Sequence, residues 1–350
     1  MKIAVIADTH LGYSRFYEDS FAQAKYAFED ASKKADVILF LGDLYDARVP
    51  SLQILGETIS FLRELKIPVF AIHGNHERRS RGMLNSIELL EKAGLLARLH
   101  FSSATFEKNG EKIFIAGMGN IPDDLTQKGL ERLRHSIQPP EGIFSILLLH
   151  QSFKEFVYGE QLSSIHDLEP LGYSLYLNGH THLYREGMGG RFLIPGSTLL
   201  TQLTKEETRP KGYILYDTHS KTHQFIEIPA RKFIFEEMEF SSSTPEEISA
   251  RIAARHDELR GQFPEAVIKL KVKGTLKEGF RAGDISFPAG HFLFIDEALP
   301  AVFLPHGPVQ GDLQALVPAL GQRPPGIVRD GQRRRRGHGR PPTRPERAAP

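Results

Sequence analysis

A chain of 350 residues is long enough for one large domain and a smaller one, and its 40% hydrophobic and 25% charged content is ordinary for a water-soluble globular protein. A net charge of +1 gives no global attraction for nucleic acid, so any such affinity must come from a local patch. There is no cysteine, which excludes disulfides and thiolate metal sites, and no run approaches the ~20 apolar residues of a membrane span, so the expected location is the cytoplasm.

Short apolar runs bounded by turn residues predict buried strands at Ile3–Ala7, Val37–Leu41, Val69–Ile72, Ile113–Ala116, Ile146–Leu149 and Leu175–Leu177. Helical patterns fall between them, at roughly Phe16–Lys34, Leu52–Leu65, Leu84–Ala93 and Leu125–Ile137. Strand alternating with helix predicts a layered α/β domain. Phe192–Ile194, Tyr213–Tyr216 and Gln224–Ile228 are expected to complete a second sheet. A break follows at Ile228-Pro229-Ala230. Beyond it, a strand at Phe233–Phe240, a helix started by Thr244-Pro245-Glu246-Glu247 and a strand at Val267–Val272 predict a small β-α-β unit.

The composition then changes. Up to Lys277 there are 18 Lys and 16 Arg; from Glu278 onward there are 10 Arg, no Lys and 11 of the 22 Pro. Such a tail has either of two origins: a reading-frame shift in a GC-rich gene, or a genuine basic, disordered arm.

Polar clusters terminate five of the predicted strands. They are Asp8-Thr9-His10, Gly42-Asp43, Gly74-Asn75-His76-Glu77, His150 and Gly179-His180-Thr181-His182. Each alone reads as a turn or a packed histidine. Together, with His76 and Glu77 left aside, they supply two carboxylates, one amide and four imidazoles as candidate ligands at strand ends, where side chains of α/β sheets converge on ligands. Oxygen and imidazole without thiolate suit Mn²⁺ or Fe²⁺, with Zn²⁺ possible.

In this order, the D-x-H, G-D, G-N-H-E, H and G-H-T-H motifs resemble the calcineurin-like metallophosphoesterase family over about residues 1–228. The resemblance implies an αββα sandwich of two mixed β-sheets flanked by helices, with a small α+β capping domain at 232–283 and an atypical tail at 284–350. It implies that Asp8, His10, Asp43 and His182 hold one metal, and that Asp43, Asn75, His150 and His180 hold a second. Asp43 would bridge the two, His76 would donate a proton to the leaving oxygen, and the ions would be two Mn²⁺.

Asp8-Thr9-His10-Leu11-Gly12-Tyr13, His150-Gln151, Pro195-Gly196-Ser197 and Lys211-Gly212 are similar to the DNA double-strand-break repair nucleases of the SbcD and meiotic-recombination-eleven type. That likeness implies 3′-5′ exonuclease and single-strand endonuclease activity, DNA and an SMC-like ABC ATPase as partners, a homodimer and a nucleoid-associated location. Docking of the ATPase is doubtful with this tail. Some members carry His where Asp46 stands, so Asp46 is either an orienter of His10 or a turn residue. Tyr13, Arg15, Arg78, Arg79 and Arg81 are candidate phosphate contacts or solvated side chains. Rival readings are a small-molecule or cyclic-nucleotide phosphodiesterase and a metal-free interaction scaffold.

Overall fold

In the computed structural model, residues 1–80, 82–290 and 293–299 are described, so Arg81 and most of the Arg- and Pro-rich tail lie outside them. Strands β1 (Lys2–Ile6), β2 (Val37–Phe40), β3 (Val69–Ala71) and the short β4 (Ala97–Arg98) pair in parallel and in that spatial order. Helices α1 (Tyr17–Lys34), α2 (Leu52–Glu64) and α3 (Ser86–Lys92) make the crossovers. The Ser51 hydroxyl accepts from the Ile54 amide to start α2, and Asn85 with Glu88 forms a reciprocal capping box at α3.

The second sheet has the spatial order β5 (Ser102–Lys108), β6 (Glu111–Met118), β7 (Phe144–Leu149), β8 (Leu175–Asn178), β10 (Phe192–Ile194), β9 (Arg185–Gly187). The β6-β7-β8-β10 core is parallel, and both edge strands run antiparallel to it. Helix α4 (Thr126–Ser136) connects β6 to β7.

One sheet assignment from the sequence needs correcting. β11 (Gly212–Asp217) and β12 (Thr222–Glu227) do not complete the second sheet. They join the first, with β11 antiparallel to β1. Periodicity reports that a segment is a strand, whereas its sheet depends on which edge is open, and β1 offers one. The hairpin strand β5 escaped notice because it is a polar edge strand, although the Asn109-Gly110 turn at its end, both residues with positive φ, is a strong hairpin signal.

The continuous apolar runs follow from burial on both faces. Ala4, Ile6, Ile38 and Phe40 face Ala24, Ala27 and Phe28 of α1 and Phe61 of α2. Ile3, Val5, Val37 and Leu39 face the other way, onto Ile115, Ile146, Leu148 and Leu175 of the second sheet. That sheet's outer face packs on Leu130 and Leu133 of α4. The result is four layers: helix, sheet, sheet, helix.

Residues past 230 build a separate parallel sheet of β13 (Phe233–Ser243), β14 (Val267–Leu276) and β15 (Leu293–Ala298), covered by α5 (Pro245–Gln262). Its own core includes Phe240, Ile248, Ile252 and Leu270. β15 lies beyond position 277, where lysine disappears from the sequence. Arg231 ties this unit to α1 through two contacts with the Asp19 carboxylate, at 2.5 and 2.9 Å.

Candidate metal centre

All five polar clusters lie at carboxyl ends of strands that are neighbours in space. β1, β2 and β3 deliver Asp8, His10, Asp43 and Asn75 from one sheet; β7 and β8 deliver His150, His180 and His182 from the other. The parallel ladder continues into the loops, where the Asp8 amide donates to the Gly42 carbonyl and the His10 amide to the Asp43 carbonyl. Gly42 and Gly74 are required by close approach. A Cβ on Gly42 would meet the Gly74 amide at 2.6 Å, and one on Gly74 would meet Asp43 Oδ1 at 2.0 Å.

Three groups of potential metal-ligand side chains result: Asp8, His10 and His182; His10, Asp43 and His76; Asp43, His150 and His180. His10 Nε2 lies 3.2 Å from His182 Nε2, and Asn75 Oδ1 lies 2.8 Å from His180 Nδ1 and 3.1 Å from His150 Nε2. Asp43 Oδ2 is 3.4 Å from His150 Nε2. Separations near 3 Å are what neighbouring ligands adopt around an ion with bonds of roughly 2.1 Å. Asp8, His10, Asp43 and His180 all have positive φ. For residues other than glycine this costs on the order of 1–3 kcal/mol each, a strain that collects at functional sites.

The ring orientations are fixed from behind. His150 Nδ1 donates to the Leu41 carbonyl (2.6 Å), which leaves Nε2 for the centre. His182 Nδ1 is 2.5 Å from Thr201 Oγ1. The His180 amide donates to both Asp8 oxygens at 3.1 Å. His76 is held by its amide on Asp43 Oδ1 (2.9 Å) and by Nδ1 on the Asp46 carbonyl. Asp46 Oδ1 sits 3.6 Å from His10 Nδ1 and 3.9 Å from His76 Nδ1, so Asp46 stands between the two rings rather than in solvent alone.

The charge pattern tests whether dications fit. Burial drives the Asp8 carboxyl well above its ordinary range, with the positive field of His150 only partly offsetting it. Burial also opposes ionisation of Asp43, but His150 against it, with His10 and His76 nearby, holds it far below the usual carboxylate range. Burial opposes charge on His150, but the charge and hydrogen bond of Asp43, the charge of Asp8 and the Leu41 carbonyl together lift it to about 9. Burial, reinforced by His150, lowers His180 to about 4, and burial with His10 lowers His182 well below its ordinary value. Asp43 thus pairs with the His150 imidazolium, Asp8 lacks a sufficient counter-charge, and the His180 and His182 imidazoles are neutral and ready to donate lone pairs. Divalent cations complete that balance, so the donor set fits them.

Residues 1–184 match the calcineurin-like phosphoesterase family. The chain belongs to that family. It is 28% identical over 293 residues to the DNA double-strand break repair protein Mre11 of Methanosarcina acetivorans, covering 79% of this chain and 46% of the relative. It is 31% identical over 283 residues to the Archaeoglobus fulgidus protein of the same name, covering 69% and 62%. To the Caenorhabditis elegans double-strand break repair protein mre-11 it is 24% identical over 300 residues, covering 67% and 40%. The chain therefore spans about half the length of the curated relatives it matches.

In this phosphoesterase, several supporting residues have roles that sequence reasoning did not assign. The Glu77 carboxylate is buried and accepts from the backbone amides of Asp43 (3.0 Å), Tyr45 (2.9 Å) and Gly74 (2.8 Å), clamping two ligand loops together. Burial and the charge of Asp43 push it up to about 7. Gln151 and Asn178 exchange backbone-to-side-chain bonds that join the His150 and His180 loops. Glu77 and Gln151 stood beside ligands in the motifs, but the Asp43 and Tyr45 amides that Glu77 holds and the Asn178 side chain that Gln151 meets are distant in sequence. The candidate phosphate contacts among the described residues are engaged within the protein: Tyr13 donates to the Thr201 carbonyl, Arg15 lies 5.5 Å over the Phe294 ring, Arg78 bonds Asn120 and Arg79 bonds the Arg48 carbonyl.

Proposed function

We propose that this phosphoesterase is a Mn²⁺-dependent DNA nuclease acting in double-strand-break repair, with 3′-5′ exonuclease and single-strand endonuclease activity. The observation that carries the reading is the convergence of Asp8, His10, Asp43, Asn75, His150, His180 and His182 from five strand ends onto one buried centre. The choice of substrate rests on its similarity to DNA double-strand break repair proteins.

On this reading Asp8, His10, Asp43 and His182 would hold one cation, and Asp43, Asn75, His150 and His180 would hold the other. When bound, such a pair supplies Lewis acidity for the phosphodiester and neutralises developing charge. The chain's own residues do the rest. Asp43 is pinned by the His76 amide and the Glu77 clamp within reach of His10 on one side and of His150 and His180 on the other. His76 keeps one proton on Nδ1 for the Asp46 carbonyl, and as an imidazolium it carries a second on Nε2 that can pass to the leaving sugar oxygen.

Residues 1–228 are the catalytic domain on this reading, and the β13–α5–β14 unit within 232–283 is a capping domain that touches DNA. A homodimer, a nucleoid-associated location and an SMC-like ABC ATPase partner are proposed on the same grounds. The test is hydrolysis of end-labelled duplex and single-stranded DNA beside a small phosphodiester, with a metal series and EDTA. Cleavage of DNA with Mn²⁺, abolished by EDTA, supports the reading. Mn²⁺-loaded protein that cleaves only the small phosphodiester refutes the substrate.

A further inference from the structure

Pro195-Gly196-Ser197 and Lys211-Gly212 bracket the loop between β10 and β11, and neither motif supplies a ligand. The loop nevertheless closes on one. The His182 carbonyl accepts from the Ser197 amide at 3.0 Å and lies 3.4 Å from Lys211 Nζ. The same Nζ donates to Ser197 Oγ (3.0 Å) and Glu207 Oε2 (2.5 Å), so the three protons of the ammonium are matched by three oxygens. Lys211 and Glu207 are 7% and 4% exposed.

Stability alone does not account for such a pair. Removing two charges from water costs several kcal/mol per ion, and apolar side chains of similar volume commonly serve as well. What the pair does provide is a fixed point for a loop. His182 needs one, because it lies four residues past the end of β8, whereas His150 directly follows its strand.

The ring end is held by the same loop. Thr201 Oγ1 lies 2.5 Å from His182 Nδ1. A proton on Nδ1 leaves Nε2 with its lone pair directed at the donor group, 3.2 Å from His10 Nε2 and 3.9 Å from Asp8 Oδ1. The Thr201 carbonyl accepts from the Tyr13 hydroxyl at 2.8 Å, and the Tyr13 amide donates to the His10 carbonyl. The loop is thereby joined to both histidines of one half of the centre. The His150 and Asn75 half is supported instead by the Leu41 carbonyl and the Glu77 clamp.

We propose that Thr201, Ser197 and the buried Lys211–Glu207 pair are positioning residues for His182 that set the affinity of the Asp8–His10–His182 half of the centre for its cation. The inference rests on the two-cation reading above. Its consequence is a centre whose halves differ in how they are held, so they respond separately to substitution.

The experiment is titration of the metal-stripped full chain with Mn²⁺, reading stoichiometry and affinity by equilibrium dialysis and the ions' proximity by electron paramagnetic resonance. Wild type is expected to bind two ions with an exchange-coupled spectrum. Thr201→Val is expected to weaken one ion by about 10–100-fold, leaving the other unchanged and giving an isolated-ion spectrum at sub-saturating Mn²⁺. Thr201→Ser, which keeps the hydroxyl, is expected to restore the coupled pair. The double variant Glu207→Gln with Lys211→Met is expected to behave like Thr201→Val; Thr201 is only half-buried, so its variants carry the test if the double variant does not fold. Thr201→Val binding two ions at wild-type affinities overturns the inference. Wild type binding fewer than two ions overturns the two-cation reading itself.

Discussion

Replacing Gly74 by alanine puts a carbon where the metal centre has no room for one. The added Cβ would stand 2.0 Å from Asp43 Oδ1, 2.4 Å from the Asp43 amide nitrogen and 2.6 Å from Cγ. Carbon and oxygen normally approach no closer than roughly 3.3 Å, so one side must move by about 1 Å. Asp43 cannot yield cheaply, because Glu77 holds its amide and the His76 amide holds its carboxylate. The loops must part, straining the Glu77 clamp. Overpacking of this kind costs about 1–3 kcal/mol, and a misplacement near 1 Å costs ~10²-fold in rate. Urea unfolding, metal content and hydrolysis of end-labelled DNA should all register the change. Gly56→Ala in α2 is the control: its Cβ meets nothing within 4 Å, and the helix should gain up to about 1 kcal/mol with activity unchanged. Gly74→Ala protein with wild-type urea midpoint, metal content and rate would refute the argument.

His76→Ala should bind both ions yet lose about 10²–10⁴ in rate, while Asp43→Ala should lose metal, because one carboxylate serves both groups; metal titration of the two separates them. A His76 variant unable to bind metal would instead make His76 a ligand. Acid stability should depend on His100, which burial and the charges of Arg98 and Arg132 lower to about 4. Its neutral form stabilises the fold fully above the ordinary histidine value near 6.5, a contribution of up to about 3 kcal/mol that is lost as pH falls toward 4. His100→Phe should flatten urea stability over that range, and an unchanged slope counts against it. Chelation should lower thermal stability: ions that bind only the folded chain add about 2.7 kcal/mol at a hundred times their Kd, so EDTA without effect on the melting temperature would exclude a resident metal.

The strand runs, the order of the polar clusters and the seven candidate ligands were legible in the sequence, because buried parallel strands are continuous apolar runs and ligands sit at their ends. The helix start at Thr244-Pro245-Glu246-Glu247 was legible because a helix start is a local signal, its partners lying within one helical turn. What the sequence could not decide was pairing between segments far apart. β11 and β12 read as strands, yet β11 joined the open edge of β1 and carried β12 with it, rather than completing the second sheet. Glu77 stood in view beside His76, but that it grips the amides of Asp43 and Tyr45 follows from β2 lying next to β3. Lys211 likewise reaches His182 only because β11 crosses back to β1, bringing residues 29 apart within hydrogen-bond range. Local chemistry marked the candidate ligands, and the closure of two sheets onto one end of the sandwich decided what holds each of them in place.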